Sequence, residues 1–267
     1  MDKYTGKKTE LRNLLKNIPQ PICAYSGGVD SGLLAFLCHR ENPETKIVFG
    51  EMTTLAKDDI EFALAAAKAM RLPLEILPFD PLVLPQVAAN TKDRCYYCKH
   101  LLFTEIGKRY PAATLLDGSN ADDYTEFRPG RKALTELKVR SPLAEAGFTK
   151  AEIRRYAEEL QLPAAQRRSK PCLLTRFPYN LPGGINDKML RKVAKGEQIL
   201  AEICRDDFRL RWLNENSCRL EATPADCLHW EHTVLPSDFP FAEVLPKPTE
   251  HCSGGFDRIA VMKEPVL

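Results

Sequence analysis

Residues 21–39 read PICAYSGGVDSGLLAFLCH, which is an apolar run, a glycine-rich turn and a second apolar run in direct succession. This pattern predicts a strand over Pro21–Tyr25 and a helix over Gly32–His39, joined by the loop Ser26-Gly27-Gly28-Val29-Asp30-Ser31. Glycines let the backbone bring its N–H groups close to a ligand, and the start of a helix favours an anion. The stretch therefore predicts a phosphate-binding loop directly after the first strand.

The phosphate loop lacks the Gly-Lys-Ser/Thr ending of a Walker A sequence, so no lysine follows the β/γ-phosphates. Pyrophosphate held as a leaving group fits this loop better, and the predicted binding residues are Ser26, Gly27, Gly28, Asp30 and Ser31. Asp30 also has a carboxylate that suits Mg²⁺. The alternative is a strand-to-helix glycine turn without a ligand. The sequence SGGVDS matches the pyrophosphatase-loop signature in full, so the chain resembles the ATP pyrophosphatases. This resemblance implies that ATP is bound and that its α-phosphate reacts with a second substrate, which becomes adenylated.

The first two thirds of the chain alternate short apolar runs with longer amphipathic ones, which is typical of βαβ units and a parallel sheet. The further predicted strands are Lys46–Met52, Leu74–Pro78 and Ala113–Asp117. The further predicted helices are Asp58–Met70, Tyr97–Arg109 and Thr149–Leu160, the last with Thr149 and Glu152 as a capping box. The predicted fold class is α/β, with a doubly wound, mostly parallel sheet of the PP-loop, adenine nucleotide alpha hydrolase-like type and a smaller C-terminal α+β domain.

Three prolines and two glycines fall within residues 171–184, which end in RFPYNLPGG, and indicate a break in regular structure. We place a domain boundary there, giving a PP-loop domain at 1–180 and a small α+β domain at 181–267. For the second domain the sequence predicts a helix over Asp187–Cys204 and strands over Phe208–Leu213, Ser217–Ala222 and Asp257–Lys263.

The charge balance is close to neutral, with 38 basic and 36 acidic residues among 267. Such a balance argues against a nucleic-acid coat, so an anionic partner must be bound locally. The sequence has no run near the roughly 18 apolar residues of a membrane span, and its N-terminus lacks an apolar signal region. We therefore expect a cytoplasmic protein without a membrane partner, in which nine cysteines are more suited to metal or thiol chemistry than to disulfides.

A second polar segment follows the predicted strand Ala113–Asp117 and reads GSNADD, residues 118–123. Ligands in open α/β sheets bind outside the carboxyl ends of the strands, so this segment should face the phosphate loop. Gly118, Asn120 and Asp122 are accordingly assigned to the nucleotide site together with Met52. Asp122 or Asp123 would assist Mg²⁺, although for Asp123 a helix-capping role is an equal alternative.

Cys95 and Cys98 form a CxxC pair, and two cysteines so spaced can hold one metal from the first turn of a helix. Cys172 is the best candidate for a third ligand, beside the cationic Lys170 and Arg176, which favour a thiolate. Three thiolates on an iron–sulfur cluster leave one iron open for chemistry. A structural zinc site completed by a histidine such as His100 is the alternative. The remaining cysteines are predicted to be buried and inert: Cys23, Cys38, Cys204, Cys218, Cys227 and Cys252.

Several motifs in unbroken order resemble the LarE family of sulfur transferases over roughly residues 15–180: SGGVDS, DRCYYCKHLLF, LLDGSNADDYTEFRPGRKA, VRSPLAEAGFTKAEIR and SKPCLLTRFPY. The resemblance implies adenylation of a carboxylate of pyridinium-3,5-biscarboxylic acid mononucleotide and its conversion to a thiocarboxylate, in nickel-pincer nucleotide biosynthesis. In one style of the family the cysteine matching Cys172 gives up its own sulfur and becomes dehydroalanine. In the other, cysteines matching Cys95, Cys98 and Cys172 hold a 4Fe-4S cluster. Since all three are present, the resemblance favours the cluster, with ATP and Mg²⁺ as the other cofactors.

Arginines in the later part of the chain suit a clamp for the substrate's phosphate and carboxylates, because guanidinium forks bind such anions bidentately. The candidates are Arg128, Arg176, Arg209 and Arg211. The resemblance adds Glu197 and Glu221, which match family positions associated with substrate phosphate or metal binding. The family's usual serine after the cysteine is replaced by Thr175, and the tail at 230–256 departs from the family pattern.

The expected partner is a small-molecule nucleotide, and family members of this kind are often homo-oligomers. Thiolation of tRNA also combines this loop with three cysteines and a cluster, but the near-neutral charge balance argues against nucleic acid. A non-catalytic, zinc-stabilised module is the alternative from another class.

Overall fold

A computed structural model describes residues 2–124, 129–168, 170–204, 208–230 and 234–249. These residues contain seven strands, which are β1 Pro21–Tyr25, β2 Lys46–Met52, β3 Leu74–Phe79, β4 Thr114–Leu116, β5 Arg209–Trp212, β6 Ser217–Ala222 and β7 Glu243–Pro248. They contain ten helices, which are α1 Lys3–Lys16, α2 Val29–Glu41, α3 Lys57–Ala69, α4 Pro85–Ala88, α5 Arg94–Arg109, α6 Gly130–Glu136, α7 Pro142–Glu145, α8 Lys150–Glu159, α9 Asp187–Leu200 and α10 Pro224–Trp230. Short 3₁₀ turns lie at Pro81–Val83, Asp122–Tyr124 and Leu173–Arg176.

The described chain divides into two compact units. The first unit contains the described residues up to Pro81 together with Lys92–Lys170, and the second contains Leu82–Thr91 and the described residues from Pro171 onward. The break in sequence at Pro171 precedes the boundary that we placed after residue 180. The assignment of the two domains to 1–180 and 181–267 stays a prediction.

The first unit is built on a four-stranded sheet in the order β3-β2-β1-β4. Every pairing in it is parallel, with Ile22 opposite Lys46 in β2 and Leu115 in β4. The α/β prediction with a parallel sheet and flanking helices is therefore confirmed. Strand β1 lies between β2 and β4, so the chain leaves β1 towards one side and returns on the other. Such a reversal of strand order opens a crevice at the carboxyl ends of β1 and β4.

Apolar runs explain why these elements form a core. In β1 the side chains of Ile22, Cys23 and Tyr25 are buried, as expected for a strand covered on both faces. Helix α2 packs on β1, and α1 and α8 pack against α2. Helix α1 was not predicted, because KYTGKKTELRNLLK is mostly polar and buries only Tyr4, Leu11 and Leu15.

Helix α8 begins as the sequence predicts. The Thr149 side chain accepts a hydrogen bond from Glu152 N, and the Glu152 carboxylate accepts one from Thr149 N, which together make a capping box. Lys7 of α1 forms an ion pair with Glu152 at 2.7 Å. The local capping signal therefore also serves a tertiary contact between the first and the eighth helix.

The second unit contains a three-stranded sheet in the order β5-β6-β7. β5 and β6 correspond to the predicted strands Phe208–Leu213 and Ser217–Ala222, and they pair antiparallel, as their short connection requires. β7 runs parallel to β6. The predicted strand Asp257–Lys263 lies outside the described residues. Within the described chain, no helix has the length and apolar character that crossing a bilayer requires.

Segment 82–91 belongs to the second unit through Asn90, which is fully buried. Its side-chain amide donates to the carbonyl oxygens of Leu174, Phe177 and Pro178 at 3.0–3.2 Å. The backbone of Gly184 also lies close to Ala88. These contacts are between residues distant in sequence, so the sequence pattern did not reveal them.

Candidate functional site

The predicted phosphate loop connects β1 to α2 in the first unit. Gly27 has φ +78°, and a Cβ on it would lie 2.6 Å from Ala63 Cβ in α3. Any other residue here would be strained and would also clash, so glycine is required on both counts. Gly28 is the N-cap of α2 and provides no side-chain hydrogen bond to the helix start. The first turn of α2 therefore has the geometry that accommodates an anion.

The two serines of the loop hold its shape. Ser31 is buried and its Oγ accepts from Ser26 N at 3.1 Å and donates to Gly28 O at 3.2 Å. Ser26 Oγ lies 2.9 Å from Ser31 Oγ, and Ser26 is exposed. Because the single hydroxyl proton of Ser31 is used by Gly28, the bond between the two serines has Ser26 as donor.

The segment after β4 packs directly on the phosphate loop, as predicted. A Cβ on Gly118 would lie 2.9 Å from Ser31 N and 3.0 Å from Ser31 Cα. The backbones after β1 and β4 are thus in contact, at the point where the strand order reverses. This close approach brings together the predicted residues of 26–31 and 118–122.

Asp30 is held by a lysine that the sequence analysis did not identify. Lys150, the first residue of α8, places its Nζ 2.7 and 2.6 Å from the two carboxylate oxygens of Asp30. The Asn120 side-chain amide donates to Asp30 Oδ2 at 3.3 Å. Asp30, the predicted magnesium ligand, is half-buried and forms an ion pair with the Lys150 ammonium group.

The 3₁₀ turn Asp122–Tyr124 is stabilised by its own polar side chains. Asn120 Oδ1 accepts from the N–H groups of Asp122 and Asp123, and the buried Asp123 carboxylate accepts from Asn120 N at 3.0 Å. These bonds agree with the capping alternative for Asp123. Asp122 is exposed and accepts from Lys150 N at 2.8 Å.

A buried carboxylate, Asp117, connects this edge of the sheet to the helix that carries the CxxC pair. It accepts hydrogen bonds from Ser141 Oγ at 2.6 Å and Ser119 Oγ at 2.8 Å, and pairs with Lys99 Nζ at 3.0 Å. Burial alone would raise the pKa of Asp117, but the Lys99 charge and the two hydroxyls outweigh it and hold the pKa below its usual range. Asp117 is therefore an anion that fixes Lys99 at the strand ends.

Cys95 lies in the first turn of α5, and Cys98 follows one turn later on the same helix. Cys95 is exposed and Cys98 is half-buried. Cys98 Sγ lies 3.7 Å from Met52 Sδ at the end of β2. Strand β2 neighbours β1, so the CxxC pair is at the same edge of the sheet as the phosphate loop. The nucleotide-site assignment of Met52 remains a prediction.

The second unit contains three of the predicted arginines, Arg176, Arg209 and Arg211, and both predicted glutamates. Buried Arg176 pairs with Glu197 through Nε at 2.7 Å and Nη2 at 3.0 Å, and buried Arg211 pairs with Glu221 at 2.8 Å. Burial lowers the pKa of Arg211, the Glu221 carboxylate opposes this shift, and the charges of Arg176 and Arg209 add to it. Three guanidinium groups therefore lie close enough to repel one another.

Cys172 lies beside the arginine cluster of the second unit, which we define as Arg176, Arg209 and Arg211. Cys172 is the N-cap of the 3₁₀ turn Leu173–Arg176, and its carbonyl accepts from Thr175 N and Oγ1. Thr175 Oγ1 accepts from Arg176 and Thr175 O accepts from Arg211. The threonine that replaces the family's serine thus ties the cysteine turn to two arginines. The predicted clamp residue Arg128 lies outside the described residues.

Exposure separates the three predicted functional cysteines from the others. Cys95, Cys98 and Cys172 are exposed or half-buried, whereas the remaining cysteines within the described ranges are all buried: Cys23, Cys38, Cys204, Cys218 and Cys227. Burial raises the pKa of Cys218 to about 12, so it stays a neutral thiol. Cys252 lies outside the described residues.

The cysteines predicted to hold a cluster are divided between the units, with Cys95 and Cys98 in the first and Cys172 in the second. In the part of the chain that the structure describes, no group of three or more His, Cys, Asp or Glu side chains is arranged to hold a metal ion. The assignment of the three cysteines as cluster ligands remains a prediction.

Sequence reasoning did not identify four residues of this site, namely Lys99, Asp117, Ser141 and Lys150. All four lie within motifs that resemble the LarE family, but the sequence pattern gives none of them a role of its own. Their charges and hydroxyls meet only because four chain segments end at one edge of the sheet.

Three known proteins are similar in sequence to this chain. The chain is 31% identical over 227 residues to an uncharacterized protein of Synechocystis, covering 82% of each, and 33% identical over 214 residues to one of Methanocaldococcus jannaschii, covering 79% of this chain and 81% of the other. It is 28% identical over 216 residues to the pyridinium-3,5-bisthiocarboxylic acid mononucleotide synthase of Lactiplantibacillus plantarum, covering 78% of this chain and 77% of the synthase. No protein-family model matches. The chain therefore belongs to the family of the first two proteins, and its similarity to the synthase supports the assignment of that family as LarE.

Proposed function

We propose that this protein is an ATP-dependent, pyrophosphate-releasing sulfur transferase of the PP-loop class, which adenylates a carboxylate of pyridinium-3,5-biscarboxylic acid mononucleotide and converts it to a thiocarboxylate. The similarity to the Lactiplantibacillus synthase supports the substrate. The observation that carries the chemistry is the meeting of the phosphate loop, the post-β4 turn and the CxxC helix at one edge of the parallel sheet. We further propose that it acts in the cytoplasm in nickel-pincer nucleotide biosynthesis.

In the first step the phosphate loop binds the β- and γ-phosphates of ATP. The start of α2 supplies backbone N–H groups and partial positive charge, and Ser26 supplies an exposed hydroxyl. Lys150 adds a full positive charge beside Asp30. Asp30 and Asp122 are the carboxylates that would hold Mg²⁺, which neutralises phosphate charge when it is bound.

Adenylation then proceeds by in-line displacement at the α-phosphorus. An oxygen of the substrate carboxylate forms a bond to the α-phosphorus, and the bond from that phosphorus to the bridging oxygen breaks. Pyrophosphate remains on the loop, and the product is an acyl adenylate with AMP as leaving group. Positioning of the two reactants and stabilisation of the phosphate charges supply the acceleration.

Sulfur transfer requires an accessible thiol. In the sacrificial style the Cys172 thiolate attacks the acyl carbon, forming a carbon–sulfur bond as AMP leaves. The Cβ–Sγ bond then breaks with loss of the Cα proton to solvent, which leaves dehydroalanine on the chain and a thiocarboxylate on the product. Thr175 and Arg176 hold the turn in which Cys172 lies.

We propose that this chain transfers sulfur by means of a 4Fe-4S cluster, because Cys95 and Cys98 are present in addition to Cys172. The donor set fits a cluster chemically, since these three cysteines are accessible and the others described are buried. When bound, a 4Fe-4S cluster held by three thiolates supplies an iron that can carry an extra sulfide. Cys95, Cys98 and Cys172 would hold it.

The arginine cluster of the second unit supports an anionic substrate. Arg176, Arg209 and Arg211 are buried near one another, and a phosphate or carboxylate would relieve their mutual repulsion. Glu197 fixes Arg176 by two hydrogen bonds and also accepts from Leu210 N. It is therefore a residue that orients the clamp.

A pyrophosphate-release assay tests the substrate. With ATP and Mg²⁺, we expect release to depend on the pyridinium biscarboxylate mononucleotide and not on tRNA. Mutation of Asp30 to alanine should abolish release, whereas mutation of the exposed Asp58 to alanine should leave it unchanged. Stimulation by tRNA alone would replace this proposal by tRNA thiolation.

Metal analysis of anaerobically purified protein tests the sulfur step. We expect iron and sulfide near four each per chain, and their loss in Cys95→Ala, Cys98→Ala and Cys172→Ala. Stoichiometric zinc without iron would contradict the cluster. If Cys95→Ala retains single-turnover thiocarboxylate formation and Cys172→Ala abolishes it, with a mass loss of H₂S from wild-type protein, the sacrificial style is correct.

A further inference from the structure

Arg131 lies next to the segment after β4 that forms part of the candidate nucleotide site. It is half-buried in α6, and its guanidinium carbon lies 3.8 Å from the centroid of the Tyr124 ring. Its Nη1 donates to the Asp123 carbonyl oxygen at 3.4 Å. The guanidinium plane is thus supported by an aromatic face on the turn that follows β4.

Two contacts place Arg131 between the nucleotide loop and the CxxC helix. Asp123, to which it donates, accepts from Asn120, and Asn120 donates to Asp30. Gly130, the preceding residue, lies so close to α5 that a Cβ there would be 2.9 Å from Lys99 Cδ and 3.4 Å from the Cys95 carbonyl oxygen. Arg131 is therefore held by the turn after β4, and the residue before it lies against the CxxC helix.

Several other arginines of this unit have carboxylate partners, although Arg154 donates to backbone carbonyl oxygens. Arg12 pairs with Glu41, Arg140 with Glu145 and Arg167 with Asp59. Within the described ranges, Arg131 has no carboxylate at ion-pair distance. A guanidinium has five donors in a planar fork, and the Asp123 carbonyl uses only one of those of Arg131.

We propose that Arg131, supported by Tyr124, binds an anionic oxygen group of a reactant in the nucleotide crevice. The group is a carboxylate or a phosphate, because a supported guanidinium fork matches both bidentately. It belongs either to ATP or to the carboxylate substrate, and this inference rests on the proposed function for the identity of the second. Tyr124 is 54% exposed and Arg131 is half-buried, so this pair lies at the protein surface.

The test compares Arg131→Ala, Arg131→Lys and a matched control, Arg40→Ala. Arg40 also lies over an aromatic ring, 5.6 Å from the Phe36 centroid, but it is in the last turn of α2, opposite the phosphate loop. The measurements are equilibrium binding of ATP and of pyrophosphate, and KM and kcat for the pyridinium nucleotide in pyrophosphate release.

We expect Arg131→Ala to weaken one of these affinities by about tenfold or more, as for a lost charge-assisted hydrogen bond. Arg131→Lys should restore part of the loss, since it keeps the charge but not the fork. A higher KM with unchanged ATP and pyrophosphate binding assigns the anion to the carboxylate substrate, and the opposite pattern assigns it to ATP. Equal values for Arg131→Ala and Arg40→Ala in all assays would overturn the inference.

Failure of the proposed function gives a different result. In that case the wild-type protein releases no pyrophosphate with the pyridinium nucleotide, while direct binding of ATP and pyrophosphate can still be measured. The affinities for ATP and pyrophosphate then test the role of Arg131. If wild type and Arg131→Ala bind both ligands equally well, the role of Arg131 is refuted.

Discussion

At the scale of single residues, Asp117 shows how one buried carboxylate organises the candidate site. Four donors converge on it, from Lys99, Ser141, and the backbone and hydroxyl of Ser119. A buried anion with this many partners is stable only while all of them are in place. Asp117 therefore positions Lys99 and the CxxC helix without having to contact a reactant.

We predict that Asp117→Asn destabilises the protein by about 3 kcal/mol at pH 7, because it leaves Lys99 without its partner and removes an acceptor. The pKa of Asp117 is lower in the folded protein than in the unfolded chain. The unfolded chain thus takes up the proton first, and the stability that this ionised carboxylate provides is lost as pH falls below about 4.

Urea unfolding at several pH values checks this prediction. The difference between wild type and Asp117→Asn should be largest near neutral pH and should shrink below pH about 4. Asp58→Asn, at an exposed position in the first turn of α3, should change stability by less than about 1 kcal/mol. A difference that grows in acid would contradict the assigned pKa direction.

At the scale of elements, two glycines differ in their role: Gly118 is needed for packing at the candidate site, whereas Gly107 only lowers the stability of a helix. Gly118 lies against the backbone of Ser31, which no side-chain rotation can relieve. Gly107 is in the last turn of α5, where a Cβ would make ordinary contact with Leu115 at 3.8 Å. The two glycines should therefore respond to alanine in opposite directions.

We predict that Gly118→Ala lowers pyrophosphate affinity by at least about tenfold, because the post-β4 segment must move away from the phosphate loop. Gly107→Ala should leave binding unchanged and raise the free energy of unfolding by about 0.5–1 kcal/mol, since alanine loses less backbone entropy in a helix. Titration calorimetry and thermal unfolding measure both effects. Normal binding by Gly118→Ala would refute the close approach of the two segments.

Element prediction from sequence succeeded where local signals were strong. The strands β1 and β2 and the capped start of α8 occur where the apolar runs and the Thr149–Glu152 box place them. Helix α1 was missed because its apolar face holds few residues, and its burial depends on α2 and α7. The helix over 97–109 begins earlier than predicted, at Arg94, so it includes both cysteines.

At the scale of the whole molecule, Asn90 keeps a distant segment within the second unit. Its side-chain amide donates to three carbonyl oxygens of residues 174–178, close to the turn that carries Cys172. Its backbone has φ +56°, a region that asparagine tolerates better than most residues. Both its conformation and its hydrogen bonds therefore favour asparagine.

We predict that Asn90→Asp lowers the free energy of unfolding by about 3 kcal/mol or more. The buried carboxylate would face three carbonyl oxygens, which repel it and cannot donate a hydrogen bond to it. Asn90→Gly keeps the backbone conformation and should be less damaging than Asn90→Asp. Guanidinium unfolding gives the order of the two, and protection of the 171–178 amides from hydrogen exchange reports the local effect. Equal stability of the variants would contradict the hydrogen-bonded role of Asn90.

From the amino-acid sequence we could predict the glycine-rich loop after β1, the parallel strands around it, and the candidate cysteines and arginines. This was possible because glycine turns, apolar periodicity and CxxC spacing act over a few neighbouring residues. The pairing of Lys150 with Asp30, of Asp117 with Lys99 and of Arg131 with Tyr124 is visible in the folded chain alone. These pairs are formed by the parallel packing of strands and helices, which brings segments far apart in the chain to one edge of the sheet, and no local pattern encodes that meeting.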